Sequence, residues 1–312
     1  EDAGAQVKDI AFRRTAGVSG HISLKKAWEL MKTENVMTLA VTSASDKLEG
    51  LIITGDIAES YMDVYDNHIL SRARTQYKNI VETLNGTLLA GNEHAYFLRG
   101  KVVVATGSRD VIEECIESDD LVIVGDRDET HICALEENAS CMVVTGGTQV
   151  SAQVLEMANR RDCVVIITPY DTFTAARLIN QSMPIKQYMT RRELVTFDID
   201  DYVDDVKDVM SRVRHRDFPV LGSNGNYVGM ISRRNLMNMQ KKQIILVDHN
   251  EKSQAVDGIG EAEILEIIDH HRLADIQTGA PIYFRNEPVG STATIIASMY
   301  QERGLLPSDR LA

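Results

Sequence analysis

Two short clusters carry the residue types most suited to chemistry, Asp248-His249 and Asp269-His270-His271. Each follows at once on an apolar run, Gln243-Ile-Ile-Leu-Val247 and Ile264-Leu-Glu-Ile-Ile268. Carboxylate oxygen and imidazole nitrogen together form a mixed donor set that suits Mn²⁺, Co²⁺ or Fe²⁺. If both runs are strands of one α/β sheet, the clusters share the rim at the strands' carboxyl ends, where such sheets collect ligands. A single Asp-His after a strand is more often a turn or a helix cap than a ligand. Two in succession are much harder to assign to accident, and with three histidines and two aspartates the rim has donors enough for a metal cluster. Farther on, Gly290-Ser291-Thr292 precedes a helical run from Ala293 to Tyr300, so its N–H groups could approach an anion; Ser291 as a plain N-cap is the equal alternative.

These residues need elements to hold them. Apolar spacing predicts a β-turn-α-β-β-α unit over residues 7–66, with a helix over Ile22–Lys32 that turns Leu24, Ala27, Trp28 and Met31 inward. Strands at Val36–Val41 and Leu48–Ile53 follow, then a helix over Ile57–Tyr65. A related order returns over residues 184–240: a strand Leu194–Phe197, a helix Asp200–Arg212, a hairpin of Phe218–Leu221 and Tyr227–Ile231 turning at Ser223-Asn-Gly-Asn226, and a helix Arg233–Met239. Two similar units flanking an insert indicate internal duplication. Between them, runs at 101–105, 121–124, 141–145 and 164–167 alternate with helix-length segments, the pattern of a parallel α/β sheet.

Composition narrows the partners. A chain of 312 residues holds two to four modules at roughly 100–150 residues each. The net charge of −13, with Lys and Arg scattered as in Arg233-Arg234 and Lys241-Lys242, disfavours a nucleic-acid partner but leaves room for a small anion in a local positive pocket. The four cysteines lack C-x-x-C spacing and read as small buried apolar residues in a reducing cytoplasm. Nothing in the sequence reads as a membrane span or export leader.

Val247-Asp-His-Asn-Glu251, Asp269-His-His271 and Glu287-Pro-Val-Gly-Ser-Thr292, in that order, resemble the central motifs of the family II inorganic pyrophosphatases, within the DHH phosphoesterase superfamily. The resemblance implies two-metal, in-line hydrolysis of pyrophosphate without a covalent enzyme intermediate, using Mn²⁺ or Co²⁺ with additional Mg²⁺ arriving with substrate. It makes Asp248 the aspartate that bridges two metal ions and His270 a ligand of one. His271 is then the catalytic histidine facing the phosphates, Asp269 its supporting carboxylate, and Ser291 and Thr292 lie near phosphate. The two repeated units resemble CBS domains, which bind adenine nucleotides: AMP, ADP, ATP or diadenosine polyphosphates. In the second unit Gly229-Met-Ile-Ser232-Arg-Arg-Asn235 fits the phosphate and ribose pattern; in the first, Gly50 and Asp56 keep their spacing but Ile53 replaces the hydroxyl. The nucleotide residues expected on this ground are Thr190, Thr196, Arg214, Arg216, Phe218, Ser232, Asn235 and Asp56; for the arginines a solvated loop is the equal alternative. The insert, with Gly125-Asp-Arg-Asp-Glu-Thr130 and Val144-Thr-Gly-Gly147, resembles a DRTGG domain.

The fold expected is α/β: a CBS-domain pair with an inserted α/β DRTGG domain, followed by part of a parallel-sheet DHH domain. The domains are residues 1–68 for the first CBS unit, 69–182 for the DRTGG-like insert, 183–241 for the second CBS unit and 242–312 for part of the phosphohydrolase domain. The CBS and DRTGG regions are expected to form a homodimer or a higher homo-oligomer, with residues 234–242 as the lever from nucleotide to catalytic rim. The family's His-x-Asn-Pro-Asp-x-Asp and Ser-Asp-Thr motifs are not found, so the chain reads as an incomplete one. Two other readings stand beside this one: a stand-alone adenylate-sensing and dimerisation module, and a DHH-type nucleotide phosphodiesterase.

Overall fold

The computed structural model describes residues 5–62, 66–107, 109–237, 242–256, 259–274 and 276–305. The chain divides into two compact units, Ala16–Leu194 and a second made of Glu1–Thr15 with Val195–Ala312.

In the first unit, Ser23 opens helix α1 (Leu24–Thr33) by accepting the Lys26 N–H, and Leu24, Ala27 and Met31 line its buried face. Trp28, expected inward, is about half exposed. Strands β1 (Thr38–Thr42) and β2 (Leu48–Ile53) pair antiparallel, and α2 (Thr54–Met62) follows directly. Helix α3 (Ile69–Arg72), strand β3 (Thr75–Gln76) and helix α4 (Tyr77–Thr83) lead to β4 (Thr87–Ala90) and to β5 (Tyr96–Phe97), which pairs with β3.

The insert then runs β6 (Val102–Val104), α5 (Arg109–Cys115), β7 (Leu121–Val124), α6 (Asp128–Glu136), β8 (Cys141–Val144), α7 (Ala152–Arg160), β9 (Val164–Ile167) and α8 (Thr172–Leu178). Its sheet has the order β4-β9-β8-β7-β6. Every residue of β7 and β8 is buried, as parallel strands covered on both faces require. The expected parallel sheet is present from β6 to β9; β4 adds an antiparallel edge that periodicity did not reveal, because its residue types do not alternate and apolar Leu89 takes an exposed position.

The second unit begins with β10 (Phe197–Asp198), α9 (Val203–Arg212), β11 (Asp217–Leu221), β12 (Tyr227–Ser232) and α10 (Arg233–Met237). The strand expected from Leu194 shortens to two residues, and α9 starts three residues later than predicted. Its core joins Phe197, Val203, Val206, Met210 and Phe218 to Val7, Ile10 and Phe12 from the other end of the chain.

Duplication is visible atom by atom. Val7 and Lys8 donate their N–H groups to Asp201 and Ile199 at 2.9 and 2.8 Å; Ile185 and Lys186 donate theirs to Ile22 and Gly20 at 2.9 and 3.0 Å. Both donor segments are single 3₁₀ turns, Val7–Asp9 and Ile185–Gln187, the first in place of the strand expected at the start of the 7–66 unit. The segment that precedes each hairpin in sequence therefore completes the core around the other. The two glycines at matching positions of the repeats show why that packing is close: a Cβ on Gly50 would sit 2.6 Å from the Thr190 carbonyl oxygen, and one on Gly229 2.4 Å from that of Arg13.

The unit continues with β13 (Gln243–Val247), β14 (Glu263–Asp269), β15 (Tyr283–Asn286) and α11 (Thr292–Glu302). All pairs in β13-β14-β15 are parallel. Residues 63–65 of the expected helix, 238–241 of the expected lever, and 306–312 lie outside the described residues. Among the described residues no helix is long and apolar enough to cross a membrane.

Candidate metal centre

The rim anticipated from the two Asp-His clusters forms at the carboxyl ends of β13 and β14. Parallel register pairs Val247 with Ile268, and the Asp248 N–H donates to the Ile268 carbonyl at 3.0 Å, so Asp248 comes beside Asp269-His270-His271. Asp248 leaves the strand with φ of +72°, a left-handed conformation that costs a non-glycine residue roughly 1–2 kcal/mol. That turn brings its carboxylate toward the histidines: Asp248 Oδ1 lies 3.6 Å from His270 Nε2. One ligand atom from each of Asp248, His270 and His271 falls within 4.8 Å of the others.

Neighbouring groups set which nitrogen faces the rim. The His270 Nδ1–H donates to the Val289 carbonyl at 3.0 Å, which leaves the Nε2 lone pair for a ligand. His271 Nδ1–H donates to Asp269 Oδ1 at 2.8 Å and is oriented in the same way. His249, counted among the donors from sequence, turns its Nδ1 back to the Val247 carbonyl at 3.1 Å and stands outside the group.

Asp269 is fully buried and accepts from four donors: His271 Nδ1, the His270 and His271 N–H groups, and the Asn250 amide. Burial pushes its carboxyl up, but the hydrogen bonds from His271, Asn250 and His270 outweigh burial and hold it below the usual carboxylate range. Its oxygens are thus spent on orienting the rim. Asn250 is itself buried, donates also to the Arg272 carbonyl at 3.0 Å and accepts from the Ala274 N–H at 2.7 Å. The sequence reading missed it, although it stands inside the quoted Val247–Glu251 run, one polar residue past the cluster.

The Gly290–Thr292 turn faces the same rim. Thr292 is buried and its hydroxyl donates to Asp248 Oδ1 at 2.6 Å. Ser291 occupies the N-cap position in an extended conformation without making a side-chain cap; its hydroxyl shares a hydrogen with that of Thr294 at 3.2 Å.

The expected nucleotide residues fall into both repeats. In the second, Asn235 Oδ1 accepts from the Ser232 N–H and hydroxyl, both at 2.8 Å, while its amide donates to the Ala11 carbonyl at 2.8 Å. In the first, Asp56 Oδ2 accepts from the Ile53 N–H at 2.8 Å, the same contact without the hydroxyl. Burial raises the Asp56 carboxyl, and that N–H partly offsets it. Thr190, Arg214 and Arg216 are exposed and Thr196 is half-buried. Phe218 is fully buried against Phe197, with ring centroids 5.4 Å apart, so its ring belongs to the core rather than to a stacking surface.

Donor type, tautomer and spacing at the rim fit a borderline divalent cation such as Mn²⁺ or Co²⁺. Fold and rim together define a chain of duplicated CBS-type units around an α/β insert, followed by a carboxylate-histidine metal rim on a parallel sheet. The DRTGG domain model matches residues 79–182 and the CBS domain model residues 185–242. The chain is 43% identical, over its whole length and 57% of the relative's, to a cobalt-dependent inorganic pyrophosphatase of Clostridium perfringens. It is 33% identical, over 96% of its length and 54% of the relative's, to a probable manganese-dependent inorganic pyrophosphatase of Thermotoga maritima. It thus spans little more than half the length of these curated relatives. The crystal structure of the CBS and DRTGG domains of the regulatory region of the Clostridium perfringens pyrophosphatase, complexed with the activator diadenosine tetraphosphate, matches with a TM-score of 0.70 and 37% identity, over 73% of this chain and all of that one. The chain belongs to the CBS- and DRTGG-containing inorganic pyrophosphatase family.

Proposed function

We propose that the protein hydrolyses inorganic pyrophosphate to two phosphates at a manganese or cobalt centre, with adenine nucleotides on its CBS units setting the rate. The observation that carries this reading is the convergence of Asp248, His270 and His271 at the ends of adjacent parallel strands, in a chain whose relatives are named as manganese- and cobalt-dependent pyrophosphatases. Asp248 and His270 would hold the metal. When bound, such an ion lowers the pKa of water and offsets the charge that grows on the leaving phosphate. Asp269 keeps His271 oriented, so that its Nε2 can meet a phosphate oxygen, and additional Mg²⁺ enters with the substrate.

For regulation, the relative's complex with diadenosine tetraphosphate supports AMP, ADP, ATP or a diadenosine polyphosphate as the ligand. Ser232 and Asn235 would meet its phosphate and ribose, with Thr190, Thr196, Arg214, Arg216 and Asp56 nearby, and Ser291 and Thr292 would lie close to the substrate phosphates. A cytoplasmic homodimer assembled through the CBS and DRTGG regions, with the division at 68, 182 and 241 given above, completes the reading.

The test measures phosphate release from pyrophosphate by the full-length protein with Mn²⁺ or Co²⁺, while AMP and ATP are titrated. Release that changes with nucleotide is the expected result; absence of release refutes the enzyme, and indifference to every nucleotide refutes the regulation. Asp248→Asn should abolish release and leave nucleotide binding intact.

A further inference from the structure

One short segment holds the Asp248 and His270 side chains and bonds the backbone of His271. Thr292 donates its hydroxyl to Asp248 Oδ1 at 2.6 Å, the Val289 carbonyl accepts from His270 Nδ1 at 3.0 Å, and the Asn286 amide donates to the His271 carbonyl at 2.7 Å. The segment is itself tied down. Arg285, whose side chain is 15% exposed, donates through Nε to Glu287 at 2.7 Å and forks onto both oxygens of Glu302 at 2.7 Å each, joining the end of β15 to the last turn of α11. These contacts, with Glu302 first and Glu287 second, raise the guanidinium further above its ordinary range.

We propose that Arg285–Thr292 is a positioning strap for the metal donors, with Thr292 the residue that fixes the Asp248 carboxylate. This rests on the metal reading given above. Asp248 needs such a partner: it sits in a left-handed turn and its side chain is 61% exposed, so nothing in the strand restrains its rotation. Thr292 is 4% exposed and anchored in the first turn of α11, so its hydroxyl is a fixed point. A threonine has one O–H, and here it is given to Asp248. The hydroxyl therefore acts through the carboxylate and, even close to the substrate, has no proton left to donate to a phosphate. Bonds of this kind to metal ligands are worth about 10- to 100-fold in metal affinity.

The experiment compares Mn²⁺ binding to the full-length protein, followed by electron paramagnetic resonance without substrate, for wild type, Thr292→Val, Thr292→Ser and Asp248→Asn. Thr292→Val should weaken Mn²⁺ by about tenfold or more, and Thr292→Ser, which restores the hydroxyl, should bind within roughly threefold of wild type. At saturating Mn²⁺, Thr292→Val should keep its KM for pyrophosphate. Wild-type Mn²⁺ affinity in Thr292→Val, failure of serine to rescue, or a raised KM at saturating metal would each overturn the strap. Wild-type Mn²⁺ affinity in Asp248→Asn would instead overturn the metal reading itself, whatever Thr292 does.

Discussion

Asn250→Ala removes the buried tether between the two strand ends and should leave the other unit unchanged. Asn250 makes three hydrogen bonds: to the Asp269 carboxylate, to the Arg272 carbonyl, and from the Ala274 N–H. A hydrogen bond to a buried charge is worth about 1.5–3 kcal/mol and a neutral one about 1 kcal/mol, so the loss comes to about 3–5 kcal/mol. Water entering the gap moves the result toward the lower figure. At about 1.4 kcal/mol per tenfold, local opening should become about 100-fold or more easier. Hydrogen exchange with mass spectrometry reads this directly, since the Asp248 N–H bonded to Ile268 reports the β13-β14 junction. Peptides covering 243–250 and 263–272 should exchange about 100-fold faster, while β7 and β8, buried along their whole length in the other unit, should not change. An acceleration below about tenfold at the rim refutes the tether, and equal acceleration in β7 and β8 refutes its local character.

Three further outcomes follow from particular contacts. Of the four cysteines Cys115 is exposed, whereas burial pushes the Cys163 thiol up to about 12 and raises Cys141 and Cys133, so a disulfide reagent at pH 8 should label one thiol rapidly in the native protein and four in denaturant. Asp171 caps α8 by accepting from the Thr174 N–H at 2.9 Å and from its hydroxyl at 2.8 Å, contacts that hold its carboxyl below the ordinary 3.8. Because the folded value is depressed, the cap's contribution is present above pH 3.8 and is lost as pH falls through the folded value; carbon NMR should show that midpoint below 3.8, and Asp171→Asn should remove this part of the acid sensitivity. Gly229→Ala places a Cβ 2.4 Å from the Arg13 carbonyl and 2.8 Å from the Phe12 ring, an overpacking that should cost about 1–3 kcal/mol in denaturant melts; an unchanged midpoint would show that residues 12–13 can yield.

What could be read in the sequence was local. Val247 followed by Asp248 and Ile268 followed by Asp269 announce strands ending in donors, because a buried apolar run must stop where polar groups begin, and β13 spans the residues the pattern gave. The hairpin of β11 and β12 was legible for the same reason: the Ser223–Asn226 turn chemistry sits between two apolar runs, and Gly225 takes φ of +66° there. The insert's parallel order followed from runs too apolar to have a wet face.

What the sequence could not assign was every contact between distant residues. Tyr283–Asn286 became a strand because β14 offered it a parallel edge, not through any alternation of its own. Val7 and Phe12 complete a core with Phe197 and Val203, a pairing that no spacing within residues 5–15 encodes. Asn250 and Asn286 look like ordinary polar residues, and Thr292 like a residue near phosphate rather than a partner of Asp248, until β13, β14 and α11 are packed together. The opening clusters thus fixed the kind of chemistry, donors for a divalent cation at a sheet rim. Tertiary structure decided which nitrogen His270 presents and what restrains Asp248, because a tautomer or a carboxylate rotamer is set by the neighbour that shares its hydrogen bond, and here those neighbours lie 19 and 44 residues away.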